Sequence, residues 1–85
     1  MRTAVVGARA EPPRVAVAVS REVGNAVTRN RVRRRVRAAV REHRELLENG
    51  RAYLFRPDRA AAVATYHELS DAVRALIVDG RAGST

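Results

Sequence analysis

The sequence predicts a small α+β domain, a two-layer sandwich in which a mixed sheet carries two helices in the order β-β-α-β-α. Three observations lead to this prediction. Two apolar segments that suit strands open the chain, two segments with apolar residues at helical spacing follow, and a short aromatic segment separates the helices. The chain has 85 residues and no cysteine, which suits one domain (1–85) with a modest core and no disulfide bond.

The first two predicted strands cover residues 3–9 and 14–20. Pro12 and Pro13 lie between them and favour a turn, so we expect a hairpin. The second strand alternates valine on one face with alanine and serine on the other. From this alternation we expect both faces of this strand to be at least partly covered.

A long basic helix is predicted next, with Asn25 as its N-cap after Gly24. It is expected to run to about Glu48 and to end at Asn49 and Gly50. At 100° per residue its apolar residues fall on one side, which predicts a helix resting on a core. These residues are Val32, Val36, Ala39, Val40, Leu46 and Leu47.

The outer surface of this helix carries most of the charge of the chain. Eight of the seventeen arginines lie within residues 29–44, where Glu42 is the one acidic residue. Arg31 and Arg35 are predicted on one flank of the apolar face, and the other flank forms a continuous stripe. The stripe contains Asn30, Arg33, Arg34, Arg37, Arg41 and Arg44. Unpaired arginines at this spacing repel one another unless an anion bridges them. With a net charge of +8, they favour a polyanionic partner, nucleic acid first and an anionic membrane surface second.

The remaining elements are a short strand and a helix. Residues 53–55 form the predicted third strand, whose aromatic rings favour core packing over stacking on bases. Thr65 and Glu68 have the spacing of a capping box and open the last helix, which Gly80 is expected to close. Its apolar stripe is Leu69, Ala72, Val73, Leu76 and Ile77. We expect an ordered core over 3–78 and a tail over 79–85.

No catalytic or metal-binding pattern is found in the sequence. His43 and His67 have no cysteine or carboxylate at a spacing that suggests a metal site or a nucleophile, so structural or surface roles are favoured. No glycine-rich phosphate loop occurs. The chain also lacks an apolar run long enough to span a membrane and a signal peptide, so we expect a cytoplasmic protein without a membrane partner.

Residues 14–42, RVAVAVSREVGNAVTRNRVRRRVRAAVRE, resemble the protein subunit of bacterial ribonuclease P. The resemblance rests on a strand that ends in serine and a basic residue, then V-G-N-A-V, then R-N-R followed by basic pairs. The later RAYLFRP and TYHELSDAVRALI segments are similar to the closing elements of that family in order and spacing, so most of 3–78 is covered. The family fold implies a left-handed βαβ crossover around the basic helix.

This resemblance implies a cytoplasmic RNA-binding protein that joins a catalytic RNA to remove 5′ leaders from precursor tRNA. The RNA, with the magnesium ions that it requires, would perform the hydrolysis, and the protein would bind no cofactor of its own. The implied partners are the catalytic RNA and precursor tRNA, with no protein partner. The implied RNA-binding residues are Arg21, Arg29, Asn30, Arg31, Arg33, Arg34, Arg37 and Arg41. Within them, Asn30, Arg33 and Arg37 are expected to face the leader, and Arg29, Arg31 and Arg34 to hold the catalytic RNA.

The chain departs from the family pattern at its start. The family begins with a further helix and strand, and supplies aromatic residues from its first strands that stack on leader bases; this chain is expected to lack both. Two explanations remain open, a gene start placed too far downstream and a reduced form of the protein. The alternative function is a generic basic module that binds RNA or DNA without a role in tRNA maturation. Membrane-surface binding is disfavoured because bulky aromatic anchors are missing.

Overall fold

Three strands form one mixed sheet in the computed structural model, which describes residues 2–7 and 12–83 of the chain. The sheet order is β1-β3-β2, with β1 antiparallel and β2 parallel to the central β3. The strands are β1 (Arg2–Gly7), β2 (Arg14–Val17) and β3 (Arg51–Arg56). The predicted α+β class and mixed sheet are therefore confirmed.

The predicted hairpin is wrong, because β1 and β2 lie on opposite edges of the sheet. β3 pairs with both of them: Val5 is opposite Tyr53 on one side and Val15 is opposite the same residue on the other. The two prolines before β2 therefore do not indicate with which strand it pairs. β2 itself ends at Val17, three residues earlier than predicted.

Two long helices and one single-turn helix complete the fold. They are α1 (Ala26–Glu42), α2 (Ala60–Val63) and α3 (Tyr66–Gly83), with 3-10 turns at Arg21–Val23 and Arg44–Leu46. α1 connects the parallel strands β2 and β3, which makes the predicted βαβ crossover; its left hand stays an expectation from the resemblance. The sequence did not predict α2 or the two turns. None of the helices in the described ranges combines the length and apolar character that a membrane crossing requires.

The core lies between the helices and one face of the sheet. Val17, Tyr53 and Phe55 contribute the sheet side and pack in one cluster with apolar residues of α1, α2 and α3. The helix residues are Val32, Val36, Ala39, Val40, Ala61, Leu69, Val73 and Ile77. Ala16 and Ala18 alternate with these strand residues and are exposed. The expectation that both faces of this strand are at least partly covered is therefore wrong at these two positions, because both long helices pack on the other face.

The start of α1 depends on Gly24 and Asn25. The Asn25 Oδ1 accepts a hydrogen bond from the Thr28 N–H at 2.9 Å, as an N-cap does. Gly24 has a φ of 153°, and a Cβ there would lie 3.0 Å from the Thr28 Cβ. A side chain at this position would meet both backbone strain and a clash, so the V-G-N sequence sets where the helix begins.

α1 ends at Glu42, six residues before the predicted end near Glu48. The residue that follows, His43, caps the helix, and its Nε2 lies 2.9 Å from the Ser70 Oγ on α3. A 3-10 turn follows the helix, and Leu46 and Leu47 at its end pack against the core although they lie outside the helix. The apolar spacing therefore identified the four buried residues of the helix correctly, although the helix ends at the contact with α3 rather than at Asn49.

α3 begins at the predicted capping box. The Glu68 N–H donates to the Thr65 Oγ1 at 3.1 Å, and the Thr65 N–H donates to the Glu68 Oε1 at 2.8 Å. Leu69, Val73 and Ile77 are buried as predicted, whereas Ala72 is exposed. The helix continues through the glycine at 80 to Gly83, so the predicted end of the helix is wrong.

Candidate nucleic-acid interface

The buried valines of α1 divide its polar surface into two flanks. The first, which we call the β2-side stripe, contains Asn30, Arg33, Arg34, Arg37 and Arg41. Its position is fixed by Arg37 and Arg41, which line a hollow together with Val15 of β2. The second, the α3-side flank, contains Arg31, Arg35 and Glu42. It is located by the hydrogen bonds of Arg31 to α2 and of Glu42 to α3.

The β2-side stripe brings four arginines together on one side of α1. The Arg33 Nη1 donates to the Asn30 Oδ1 at 2.7 Å, so these two side chains lie together. Arg34, Arg37 and Arg41 are exposed. The ion pairs found between described residues include none of these arginines. Five of the eight RNA-binding residues predicted from the sequence thus share one exposed surface.

Arg29 lies one turn into α1 but on the side of the buried valines. Its side chain is half-buried, and its Nε is buried without a hydrogen-bond partner. A buried donor in this state costs free energy, which an acceptor such as a phosphate oxygen would recover. Arg21 lies on the exposed 3-10 turn that precedes the helix. Both predicted residues therefore belong to the N-terminal end of the basic surface, apart from the stripe.

Arg31 lies on the α3-side flank, away from the stripe. Its Nη2 donates to the carbonyl of Ala62 at 3.1 Å and so ties α1 to α2. The structure does not bring Arg31 together with Asn30 and Arg33, although the three are close in sequence. The reason is the 100° step of the helix, which turns successive side chains to different faces.

Glu42, the one acidic residue of α1, is occupied by contacts with α3. The Ser70 Oγ donates to its Oε2 at 2.8 Å and the Tyr66 hydroxyl donates at 3.0 Å. These bonds, Ser70 first, hold the pKa of Glu42 below its ordinary value. Desolvation and the bond to Glu42 raise the pKa of Tyr66. The acidic group is thereby kept on the α3-side flank and does not neutralise the stripe.

Ser70, His43 and Glu42 lie together, but their hydrogen bonds indicate a structural clamp. The Ser70 side chain is buried, and its hydroxyl donates to Glu42 rather than to His43. The serine is therefore not activated by the imidazole as a nucleophile would be. His67 is exposed, and its Nε2 lies 3.3 Å from the Asp71 Oδ2. Over the described residues, no group of three histidine or carboxylate side chains could hold a metal ion.

The aromatic residues of β3 do not belong to the interface. Tyr53 and Phe55 are 1% and 0% exposed, and the Tyr53 hydroxyl accepts a hydrogen bond from the Glu48 N–H at 3.0 Å. Core packing, which the sequence favoured over base stacking, is therefore confirmed. Burial of each ring contributes roughly 1.5–3 kcal/mol to the stability of the sheet on which α1 rests.

Among the residues that the structure describes, two concave regions lie near the basic surface. A groove of about 710 Å³ lies at the carboxyl ends of β2 and β3, but its rim contains Arg56 and Arg59 together with Glu22 and Asp58, so its charges are mixed. A hollow of about 170 Å³ lies beside the stripe, and its lining includes Arg44, which was predicted from the sequence as part of the stripe. The i, i+3 spacing of Arg41 and Arg44 indicated this position, but the hollow itself depends on tertiary packing.

Comparison with known proteins gives one family for this chain. The family model for ribonuclease P matches residues 2–79. The ribonuclease P protein component of Halalkalibacterium halodurans is 41% identical over 56 residues, which are 66% of this chain and 47% of that protein. The Bacillus cereus (strain G9842) component is 36% identical over 56 residues, 66% of this chain and 49% of that protein. The chain thus spans about half the length of these relatives.

Solved structures share the fold. The ribonuclease P protein of Thermotoga maritima superposes with a TM-score of 0.80 at 18% identity, covering 93% of this chain and 74% of that one. The Staphylococcus aureus ribonuclease P protein gives a TM-score of 0.75 at 19% identity, covering 88% and 69%. At these identities the structures support the fold, and the family model supports the membership. Because that model spans residues 2–79, the chain belongs to the ribonuclease P protein family.

Proposed function

We propose that this chain is the protein subunit of ribonuclease P, which binds the catalytic RNA and the 5′ leader of precursor tRNA in the cytoplasm. The observation that carries the proposal is the β2-side stripe, whose arginines are exposed or half-buried and form no ion pair among the described residues, in a chain of this family. Two RNAs meet in such a complex, and their phosphates repel each other. Guanidinium groups on a rigid helix reduce that repulsion and hold the substrate in place.

In this proposal hydrolysis belongs to the RNA subunit and the magnesium ions that it requires. The protein contributes affinity and position for the leader. A helix that is packed against a core on one side fixes the backbone positions from which its arginines project, so binding has to order the side chains but not the backbone. The hydrogen bond between Arg33 and Asn30 orders one pair of these side chains in advance.

We further propose that Asn30, Arg33 and Arg37 face the leader strand. Their common position on the β2-side stripe supports this assignment, because one strand can pass along all three. Arg31 projects from the other flank and Arg29 from the N-terminal end of the basic surface, where a second RNA can be reached. Arg34 lies at the outer edge of the stripe and is assigned with them to the catalytic RNA.

The test compares precursor tRNA with mature tRNA, which lacks the leader. Both are titrated into catalytic RNA with and without the chain, and the dissociation constants are measured. We expect the chain to strengthen binding of the precursor more than that of mature tRNA. The double variant Arg33→Ala/Arg37→Ala should lose this preference, whereas Arg74→Ala, an exposed arginine on α3, should keep it. Equal strengthening of both tRNAs would favour the generic nucleic-acid-binding module instead.

A further inference from the structure

Tyr66 is the one exposed aromatic residue among the three in the chain, all of which lie within the described ranges. The sequence contains two tyrosines, one phenylalanine and no tryptophan. Tyr53 and Phe55 are 1% and 0% exposed, whereas Tyr66, the first residue of α3, is 38% exposed. A nucleobase stacks on an aromatic side chain only where that side chain is accessible. Tyr66 is therefore the position at which this protein can stack on a base through a tyrosine or phenylalanine ring.

The tyrosine ring is tethered at its far end. Its hydroxyl donates to the Glu42 Oε2 at 3.0 Å, and the Ser70 Oγ donates to the same oxygen at 2.8 Å. The backbone of α3 holds one end of the ring and this hydrogen bond restrains the other. A ring that is restrained at both ends has less side-chain freedom to lose when a base stacks on it.

Two arginines of the α3-side flank lie on this side of α1 as well. Desolvation and the bond to Glu42 raise the pKa of Tyr66, and the charge of Arg35 opposes them, which places that guanidinium near the ring. Arg31 precedes Arg35 by four residues, about 6 Å along the helix axis. Its Nη2 donates to the Ala62 carbonyl, which leaves further guanidinium donors for a phosphate. The two arginines outnumber Glu42, the acidic residue of the flank.

Exposed apolar side chains continue this surface beyond Arg31. Val27 precedes Arg31 by about one helical turn on the same face of α1, and Val63 follows Ala62, whose carbonyl Arg31 binds. The two valines are 77% and 87% exposed. Bases inside a duplex stack on one another, whereas unpaired bases are free to stack on protein side chains. An exposed ring among arginines and apolar groups therefore favours an unpaired nucleotide over a duplex.

We propose that the Tyr66 ring is a stacking site for one unpaired base of the catalytic RNA, whose neighbouring phosphates lie on Arg31 and Arg35. The inference rests on the proposed function, which assigns the leader to the β2-side stripe and Arg31 to the catalytic RNA. The buried valines of α1 separate the two flanks, so each RNA has a surface of its own. Neither Tyr66 nor Arg35 was among the RNA-binding residues predicted from the sequence.

The first test measures the affinity of the full chain for a catalytic ribonuclease P RNA without precursor tRNA. Tyr66→Leu keeps an apolar side chain but removes the ring, and should weaken binding about tenfold, as loss of one stacked base does elsewhere. Tyr66→Phe is the matched control, because it keeps the ring and loses only the hydroxyl; its affinity should stay within about threefold of wild type. Neither variant should change the affinity for an isolated single-stranded leader. Circular dichroism checks that both variants are folded.

The second test detects the stacked base directly. Because the chain has no tryptophan, Tyr66→Trp introduces a single indole whose fluorescence a stacked base quenches. Val78→Trp places the same indole at a position of α3 that is 40% exposed and outside the proposed site. We expect the catalytic RNA to quench the indole at position 66 and to leave the indole at position 78 nearly unchanged.

Three results would overturn the inference while the proposed function stands. Tyr66→Leu could bind the catalytic RNA as tightly as Tyr66→Phe, or the two indoles could be quenched equally. In the third, Tyr66→Leu weakens binding of the leader instead of the catalytic RNA, which assigns the ring to the other RNA. If the wild-type chain does not bind the catalytic RNA at all, the proposed function fails together with the stacking site.

Discussion

Replacing Arg37 by alanine should reduce the salt dependence of leader binding by a calculable amount. Arg33, Arg37 and Arg41 form no ion pair with the described acidic residues, so each is available to a phosphate. Three or four such contacts on a single strand give a log–log slope of roughly −2 to −3 between affinity and salt concentration. Removal of one contact should make the slope less negative by about 0.7.

The assay is fluorescence anisotropy with a labelled single-stranded leader RNA at several salt concentrations. Arg74→Ala provides the matched control, because it removes the same charge from an exposed position on α3. We expect the wild-type slope for Arg74→Ala and the reduced slope for Arg37→Ala. If both variants change the slope equally, binding follows net charge and the assignment of contacts to the β2-side stripe is refuted.

Three further predictions concern the scaffold. Gly24→Ala should lower the free energy of unfolding by about 1–3 kcal/mol, because φ is 153° and a Cβ would lie 3.0 Å from Thr28; an unchanged urea midpoint would contradict this. Phe55→Ala should cost about 3–5 kcal/mol in the same assay, since the ring is fully buried; a loss below about 1 kcal/mol would contradict its place in the core. Glu42 has a lowered pKa in the folded state, chiefly through Ser70. The stabilisation that the Glu42 carboxylate provides should be fully present above the ordinary glutamate pKa. It should be lost as the pH falls through the lowered pKa of the folded state. In the Glu42→Gln variant the melting temperature should therefore fall less steeply than in the wild type as the pH is lowered. An unchanged pH dependence would argue against this contact.

The basic helix and its two sides could be predicted from local spacing alone. A residue step of 100° determines which side chains are buried, and Val32, Val36, Ala39 and Val40 are buried as expected. The same step separates Arg31 from the arginines of the β2-side stripe. N-caps are equally local, which is why Asn25 and the Thr65 capping box are confirmed.

The strand order and the helix ends depend on contacts between distant residues. Nothing near Pro12 and Pro13 indicates that β3, more than thirty residues later, pairs with both earlier strands. α1 ends where His43 contacts Ser70 on another helix, 27 residues away in sequence. The hollow beside the stripe needs Val15, Leu47 and three arginines brought together. Sequence spacing alone therefore predicts the charged surface but not the concave site next to it.

The most direct measurement of the central claim is precursor cleavage by a catalytic ribonuclease P RNA at low magnesium. Under these conditions phosphate repulsion is poorly screened, so neutralisation by the β2-side stripe should matter most. We predict that the chain and its Arg74→Ala variant both raise the cleavage rate, and that Arg33→Ala/Arg37→Ala raises it much less. No gain in rate with the wild-type chain would contradict the account.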